Sequence, residues 1–173
     1  MTTKQILLFA AALSFALCGA TLAFASPGTS MRTDQVNAAR WDKAWTNLLN
    51  DVEQSFRPSM PRLLGVEVEL IVGNPGPPED ELTLTILDAK GHTLAVVTEP
   101  VEPSGCDHTM FIIPKNGIDV TPGETYWLRL KGGTLFGWKY VVGGYEKGAA
   151  TFNGNPLLKQ ARSTFLFRTF GAD

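Results

Sequence analysis

The sequence is short of the side chains from which most catalytic and metal centres are built. It has two cysteines and two histidines in 173 residues. Cys18 stands in a leader-like start, so beyond that start only Cys106 remains and no disulfide can form within the mature chain. A single thiol of this kind is either buried as a small hydrophobe or open to pairing between chains. No H-E-x-x-H, G-x-S-x-G or glycine-rich phosphate loop occurs. Basic residues never run longer than two, and the formal net charge is −2, so the electrostatic footprint of a nucleic-acid binder is missing. There is one long apolar run, Ile6 to Leu17, too short to span a bilayer as a mature helix. Lys4 precedes it and Ala23-Phe24-Ala25 follows, the order of a Sec-type signal peptide over residues 1–25. Leu17 is bulkier than the residue a lipoprotein signal places before its cysteine, so no lipid anchor is expected at Cys18. No later stretch predicts a transmembrane segment. The expected location is periplasmic or extracellular, with a mature chain from Ser26 that suits one domain.

What is present is mostly strand. Val66, Val68, Leu70 and Val72 alternate with Glu67, Glu69 and Ile71, which predicts a half-buried strand with its carboxylates turned to water. Leu82, Leu84 and Ile86 alternate next. Asp88-Ala89-Lys90-Gly91 is a hairpin turn, and Thr93 to Thr98 returns antiparallel. Further strands are expected at His108 to Ile113, Thr125 to Lys131, Leu135 to Val142, Ala150 to Phe152 and Ser163 to Phe170. Turns about every ten residues point to an all-β, jelly-roll-type antiparallel sandwich of two sheets over residues 53–173. Residues 26–52 differ. Trp41, Trp45, Leu48, Leu49 and Val52 recur at helical steps, which predicts a short helix within Asp34 to Val52. The other reading is an extended arm with Trp45 plugged into the end of the sandwich.

Several pieces of the strand series resemble one family. They are Gln54-Ser55-Phe56-Arg57-Pro58-Ser59, Leu63-Leu64-Gly65-Val66-Glu67-Val68, Leu82 to Ala89, Val120-Thr121-Pro122-Gly123-Glu124-Thr125-Tyr126, Gly144 to Ala149, and Phe165 to Gly171. Together they are similar to secreted bacterial jelly-roll domains of the galactose-binding or carbohydrate-binding-module type. The resemblance covers Glu53 to Gly171. It implies sugar binding through surface aromatics or loops, often with a structural calcium. Asp34 to Asn50 lies outside the pattern, and Trp127 departs from it, since such strands usually carry a small or polar residue there.

The aromatic stretch from Thr121 to Phe152 holds the candidates for binding. Alternation puts Tyr126, Leu128 and Leu130 on one face and Trp127, Arg129 and Lys131 on the other. Two cations mark the second face as wet, because a lone buried charge is costly. Trp127 beside Arg129 could stack on a sugar ring while the guanidinium donates to its hydroxyls. Burial of Trp127 under a neighbouring segment is the other reading. Phe136, Trp138 and Tyr140 share a face, with Lys139 opposite; they read as core, or else as the lining of a groove. Tyr145 sits in the glycine-rich loop Gly143 to Gly148, where a binding residue or a local plug would both fit.

The remaining candidates are weaker. Asn74, Glu79 and Asp80 make an oxygen-rich loop where a structural calcium would need backbone carbonyls to complete it; plain solvation is the other reading. Cys106, His108 and His92 are the soft-ligand and nucleophile candidates, but neither a triad nor a complete zinc set is visible. The expectation is therefore a secreted, non-catalytic module that requires no cofactor and binds carbohydrate or another cell-surface polymer through Trp127, Arg129, Tyr145, Trp138 and Tyr140. The alternative is a structural or protein-interaction domain of an extracellular assembly, which joins with itself or with a partner through Trp41, Trp45 and Leu48. A small secreted hydrolase is a third reading.

Overall fold

Alternation along the chain becomes strands wherever one face can be buried. The computed structural model describes residues 30–41, 44–48, 51–72, 81–100, 108–133, 136–157 and 162–173. Among them the strands are β1 Arg32–Asn37, β2 Trp45–Asn47, β3 Val52–Phe56, β4 Arg62–Val72, β5 Glu81–Leu87, β6 Thr93–Pro100 and β7 His108–Ile112. There follow β8 Ile118–Asp119, β9 Tyr126–Lys131, β10 Phe136–Val142, β11 Ala150–Phe152, β12 Asn155–Pro156, β13 Ser163–Phe165 and β14 Phe167–Ala172. All pairings are antiparallel.

The strands form two sheets. One runs β1-β14-β4-β10-β13, with β2 added on β10 and β7 and β8 on β4. The other runs β12-β11-β3-β9-β5-β6. From β3 onward the chain keeps crossing between them: β3 lies in the second sheet, β4 in the first, β5 and β6 in the second, β7 and β8 in the first. This is the expected two-sheet jelly-roll-type sandwich. The Asp88 turn forms as read from the sequence. Asp88 Oδ1 accepts from the amides of Lys90 (2.8 Å) and His92 (2.9 Å), and Gly91 supplies φ +85°.

The core lies between the sheets. Val66, Val68 and Leu70 of β4 face Leu82, Leu84 and Ile86 of β5 and Leu128 and Leu130 of β9, and all of these are fully buried. Trp138 is also fully buried and stacks on Phe165, with ring centroids 4.4 Å apart at 17°. A pair of this kind adds about 0.5–1.5 kcal/mol beyond the area it buries. Its indole N–H donates to the Leu166 carbonyl at 2.8 Å, so the one polar atom of the ring is satisfied inside.

Two expectations need correction. No helix forms within the described part of Asp34 to Val52; β1, β2 and the start of β3 occupy it. Steps of three and four also arise where short strands are broken by turns, and Thr46, Asn47 and the tryptophans are indifferent helix formers. Pairing decides the outcome: β2 lies along Gly137 to Lys139 of β10, and the Leu48 backbone bonds to Phe136 and Gly132. Leu48 and Val52 enter the core, whereas Trp45 stays 48% exposed and does not plug the sandwich. It lies so close over Gly137 that a Cβ there would overlap its ring. The second correction is Lys139. It does not mark a solvated face, since it is only 5% exposed. β2 pairs edge to edge with β10, and the chain just before it brings Trp41 across, so that the Lys139 ammonium sits 4.8 Å from the centroid of the Trp41 ring.

Part of the interior is polar. Gln35, Asn37, Gln54, Thr164 and Thr169 are all buried. The Asn37 amide donates to Thr164 Oγ1 (3.1 Å), and Gln54 Oε1 accepts from the Phe165 amide (2.7 Å). Thr169 Oγ1 accepts from the backbone N–H of Gln35 (3.0 Å). This network ties β1, β3, β13 and β14 together, and it matters below because the glycine-rich loop docks on it.

Candidate functional site

The outer face of the six-stranded sheet is built by the residues that alternate with its core. In β3 these are Glu53, Ser55 and then Arg57; in β9, Trp127, Arg129 and Lys131; in β5, Thr83, Thr85 and Leu87. Register sets Glu53 opposite Arg129 and Ser55 opposite Trp127, with Leu87 on the far side of Trp127. Arg129 Nε donates to Glu53 Oε1 at 2.7 Å, and Thr151 Oγ1 donates to Glu53 Oε2 at 3.2 Å. The guanidinium is thus held in place while its terminal nitrogens have no partner among the described residues. Trp127 beside it is half-buried. Leu87, outward by register, is only 3% exposed, and Trp127 is the large side chain next to it. The platform is therefore an indole beside an aliphatic cross-strand neighbour and a cation fixed by Glu53.

Beyond Ser55 the same face opens into a shallow cleft of about 400 Å³. Ser55, Arg57, Thr125, Glu146, Lys147 and Arg162 contribute to its lining. Arg57 and Lys147 also border a second depression of about 530 Å³ toward Pro122 and Gly123. Arg57 Nε donates to Thr125 Oγ1 at 3.4 Å. Arg162 donates to the backbone carbonyls of Glu146 and Gly148, the latter at 3.3 Å.

The structure brings Trp127 and Arg129 together and separates them from the other predicted binding residues. Trp138 is interior, and so is Tyr145, which is 6% exposed. The Tyr145 ring meets Phe167 edge-on at 5.2 Å. Its hydroxyl donates to Gln35 Oε1 (3.1 Å) and accepts from the Arg57 amide (3.4 Å). Burial, the largest influence, raises its pKa above the ordinary 10.0. Tyr140 is half-buried, with its ring edge-on to Phe165. These three rings are scaffold. Asn74, Glu79, Asp80 and Cys106 lie outside the described residues, and no cluster of His, Cys, Asp and Glu able to hold a metal is found among the described ones. His108 and His92 are engaged separately, by Glu67 at 3.0 Å and Asp88 at 2.8 Å. Glu67 also holds Arg168 at 3.3 Å, so this strand carboxylate is a paired group instead of a solvated one. Trp41, Trp45 and Leu48 do not form one stripe, because Leu48 is interior.

Sequence reasoning missed Glu53 as the partner of Arg129, and it missed the cleft. The available signal was the alternation Glu53, Ser55, Arg57 through β3 and the residue after it, which matches Thr125, Trp127, Arg129 leading into β9. Recognising the match requires knowing that these two strands are neighbours. The chain matches no family model and no curated protein, and among the described residues no helix is long and apolar enough to cross a membrane.

Proposed function

We propose that the protein is an exported, non-catalytic module that binds a carbohydrate or another cell-surface polymer on the outer face of its six-stranded sheet. One observation carries this reading: a half-buried tryptophan on an open sheet face, beside an arginine already oriented by Glu53. Sugar rings present apolar C–H faces and equatorial hydroxyls. An indole offers the matching apolar surface, and a fixed guanidinium offers donors at little further entropic cost. The resemblance to secreted sugar-binding jelly rolls points the same way. The test is a binding panel of insoluble polysaccharides followed by fluorescence titration with soluble oligosaccharides. Trp127→Ala should weaken binding by about tenfold or more, the equivalent of ~1.4 kcal/mol. Absence of binding across the panel, or an unchanged affinity in Trp127→Ala, removes the proposal.

A second reading has its own observation. Met31, Met110 and Ile112 are 37%, 37% and 44% exposed on the outer face of the eight-stranded sheet, where the Met31 and Ile112 side chains both reach Gly65. An apolar patch of that kind suits self-association. A molar mass that stays monomeric at every concentration in light scattering rules it out.

A further inference from the structure

Among the described residues, the two arginines that line the cleft lack the carboxylate partner that four other arginines of the chain have. Arg32, Arg62, Arg129 and Arg168 each pair with a carboxylate, namely Asp173, Asp119, Glu53 and Glu67. Arg57 and Arg162 are held only by neutral acceptors, the Thr125 hydroxyl and two backbone carbonyls. Neither they nor Lys147 has a carboxylate within ion-pair distance among the described residues. Glu146, the one acid in the lining, contributes its carbonyl to Arg162. The cleft therefore carries three cations against one anion, and the cations are steered without being neutralised.

The mounting is rigid as well. The loop that bears Lys147 is anchored on both sides. Tyr145 is buried, with its amide on Thr164 Oγ1 at 3.0 Å and its hydroxyl between Gln35 and the Arg57 amide. Gly148 packs so closely on the Ser55 carbonyl that a Cβ there would overlap it. Ala149 and Ser55 exchange backbone and side-chain hydrogen bonds at 2.9 and 3.0 Å. Charged groups on a fixed frame bind an anion without first having to order that frame.

The cleft is also in line with the platform. Ser55 is the cross-strand partner of Trp127, about 5 Å away. Thr125, just before β9, is two residues back from Trp127, about 6.7 Å along the chain. A ring stacked on Trp127 thus projects its substituents over Arg57 and Lys147. We propose that the cleft grips the anionic substituent, carboxylate or sulfate, of an acidic polysaccharide. This deepens the carbohydrate reading above and rests on it.

The experiment is a titration of the protein against a neutral glucan, a polyuronate, a sulfated galactan and single-stranded DNA, at low and at physiological salt. Wild type is expected to bind one of the acidic saccharides about tenfold tighter than the neutral glucan, with affinity falling as salt rises. The double variant Arg57→Ala/Lys147→Ala should lose that margin and keep the weaker neutral binding, whereas Trp127→Ala should lose both. Arg162 is left intact because it holds the loop. Near-UV circular dichroism matching wild type confirms that the double variant folds. Equal affinity for neutral and acidic saccharides, or a double variant with undiminished preference, overturns the acidic-ligand proposal and leaves the platform standing. Binding to no saccharide removes both. DNA bound as tightly as the polyuronate makes the cleft a general anion site and overturns its assignment to saccharide.

Discussion

Strands β9 and β10 look alike on paper and end up in different surroundings. Each alternates aromatic and aliphatic residues with a cation: Arg129 and Lys131 in β9, Lys139 in β10. In β9 the cations mark an open face, and the Arg129 side chain is 38% exposed. In β10 the lysine is buried, because the chain that leads into the neighbouring strand β2 brings Trp41 over it. A cation on a strand marks a wet face only if no other part of the chain comes back to cover it. The test with the largest expected effect compares the interior ring of β10 with that difference in mind. Trp138→Ala removes a fully buried indole, its stack on Phe165 and its bond to Leu166. It should cost about 3–5 kcal/mol, read as a lowered midpoint in denaturant unfolding. A loss below about 1 kcal/mol would mean that β10 does not sit in the core as described.

Next comes the frame of the cleft. Gly148→Ala places a methyl group against the Ser55 carbonyl, which belongs to the backbone and cannot swing away. The loop must lift from β3, at about 1–3 kcal/mol. Anion affinity should fall with it, since Arg162 takes its orientation from the Glu146 and Gly148 carbonyls. A stable variant with full affinity would show that the loop need not be fixed.

Tyr145→Phe should cost about 1 kcal/mol at neutral pH for the hydroxyl bridging Gln35 and Arg57. Its pH dependence is more telling. Burial raises the phenol above its ordinary value, so the folded protein holds this proton more tightly than the unfolded chain does. The associated stability is whole below about pH 10 and is lost as pH climbs through the folded value. Phenylalanine has no such proton. The two stability curves, measured by urea unfolding from pH 7 to 11, should converge at the alkaline end; parallel curves would place Tyr145 in water.

How far the fold could be read from the sequence follows the chemistry of what is buried. β4, β5 and β9 were legible because their buried residues are Val, Leu and Ile in strict alternation. β1 was not, because the side chains it buries are Gln35 and Asn37, whose partners, the Tyr145 hydroxyl and Thr164, lie far along the chain. A hydrophobic period cannot reveal a buried amide. β2 was misread because Trp45 and Leu48 fit a helical step as well as a strand and a turn. The same limit applies to the candidate site. Alternation put Trp127 and Arg129 outside, as the structure does, but Tyr145 in its glycine loop gave no sign that Gln35 and Phe167 would enclose it. The cleft was invisible for a related reason: Arg57, Lys147 and Arg162 come from three separate stretches, and only the pairing of β3 with β9 and the docking of Tyr145 bring them together.

The smallest effect on stability belongs to the residue with the largest proposed role in binding. Trp127 is half-buried, on a face already in contact with water. Trp127→Ala should therefore cost about 1 kcal/mol, several-fold less than Trp138→Ala, by the area each indole removes from water. Acrylamide quenching gives an independent reading of the same contrast. Trp127, the equally half-buried Trp41 and the 48%-exposed Trp45 should supply the accessible emission, and Trp138 none. Deleting Trp127 should remove a quenchable component, and saturating saccharide should protect that component in wild type. If Trp127→Ala instead destabilises as much as Trp138→Ala and leaves quenching unchanged, the ring belongs to the interior. β9 would then have no open aromatic, and the difference between the two strands on which the binding surface depends would disappear.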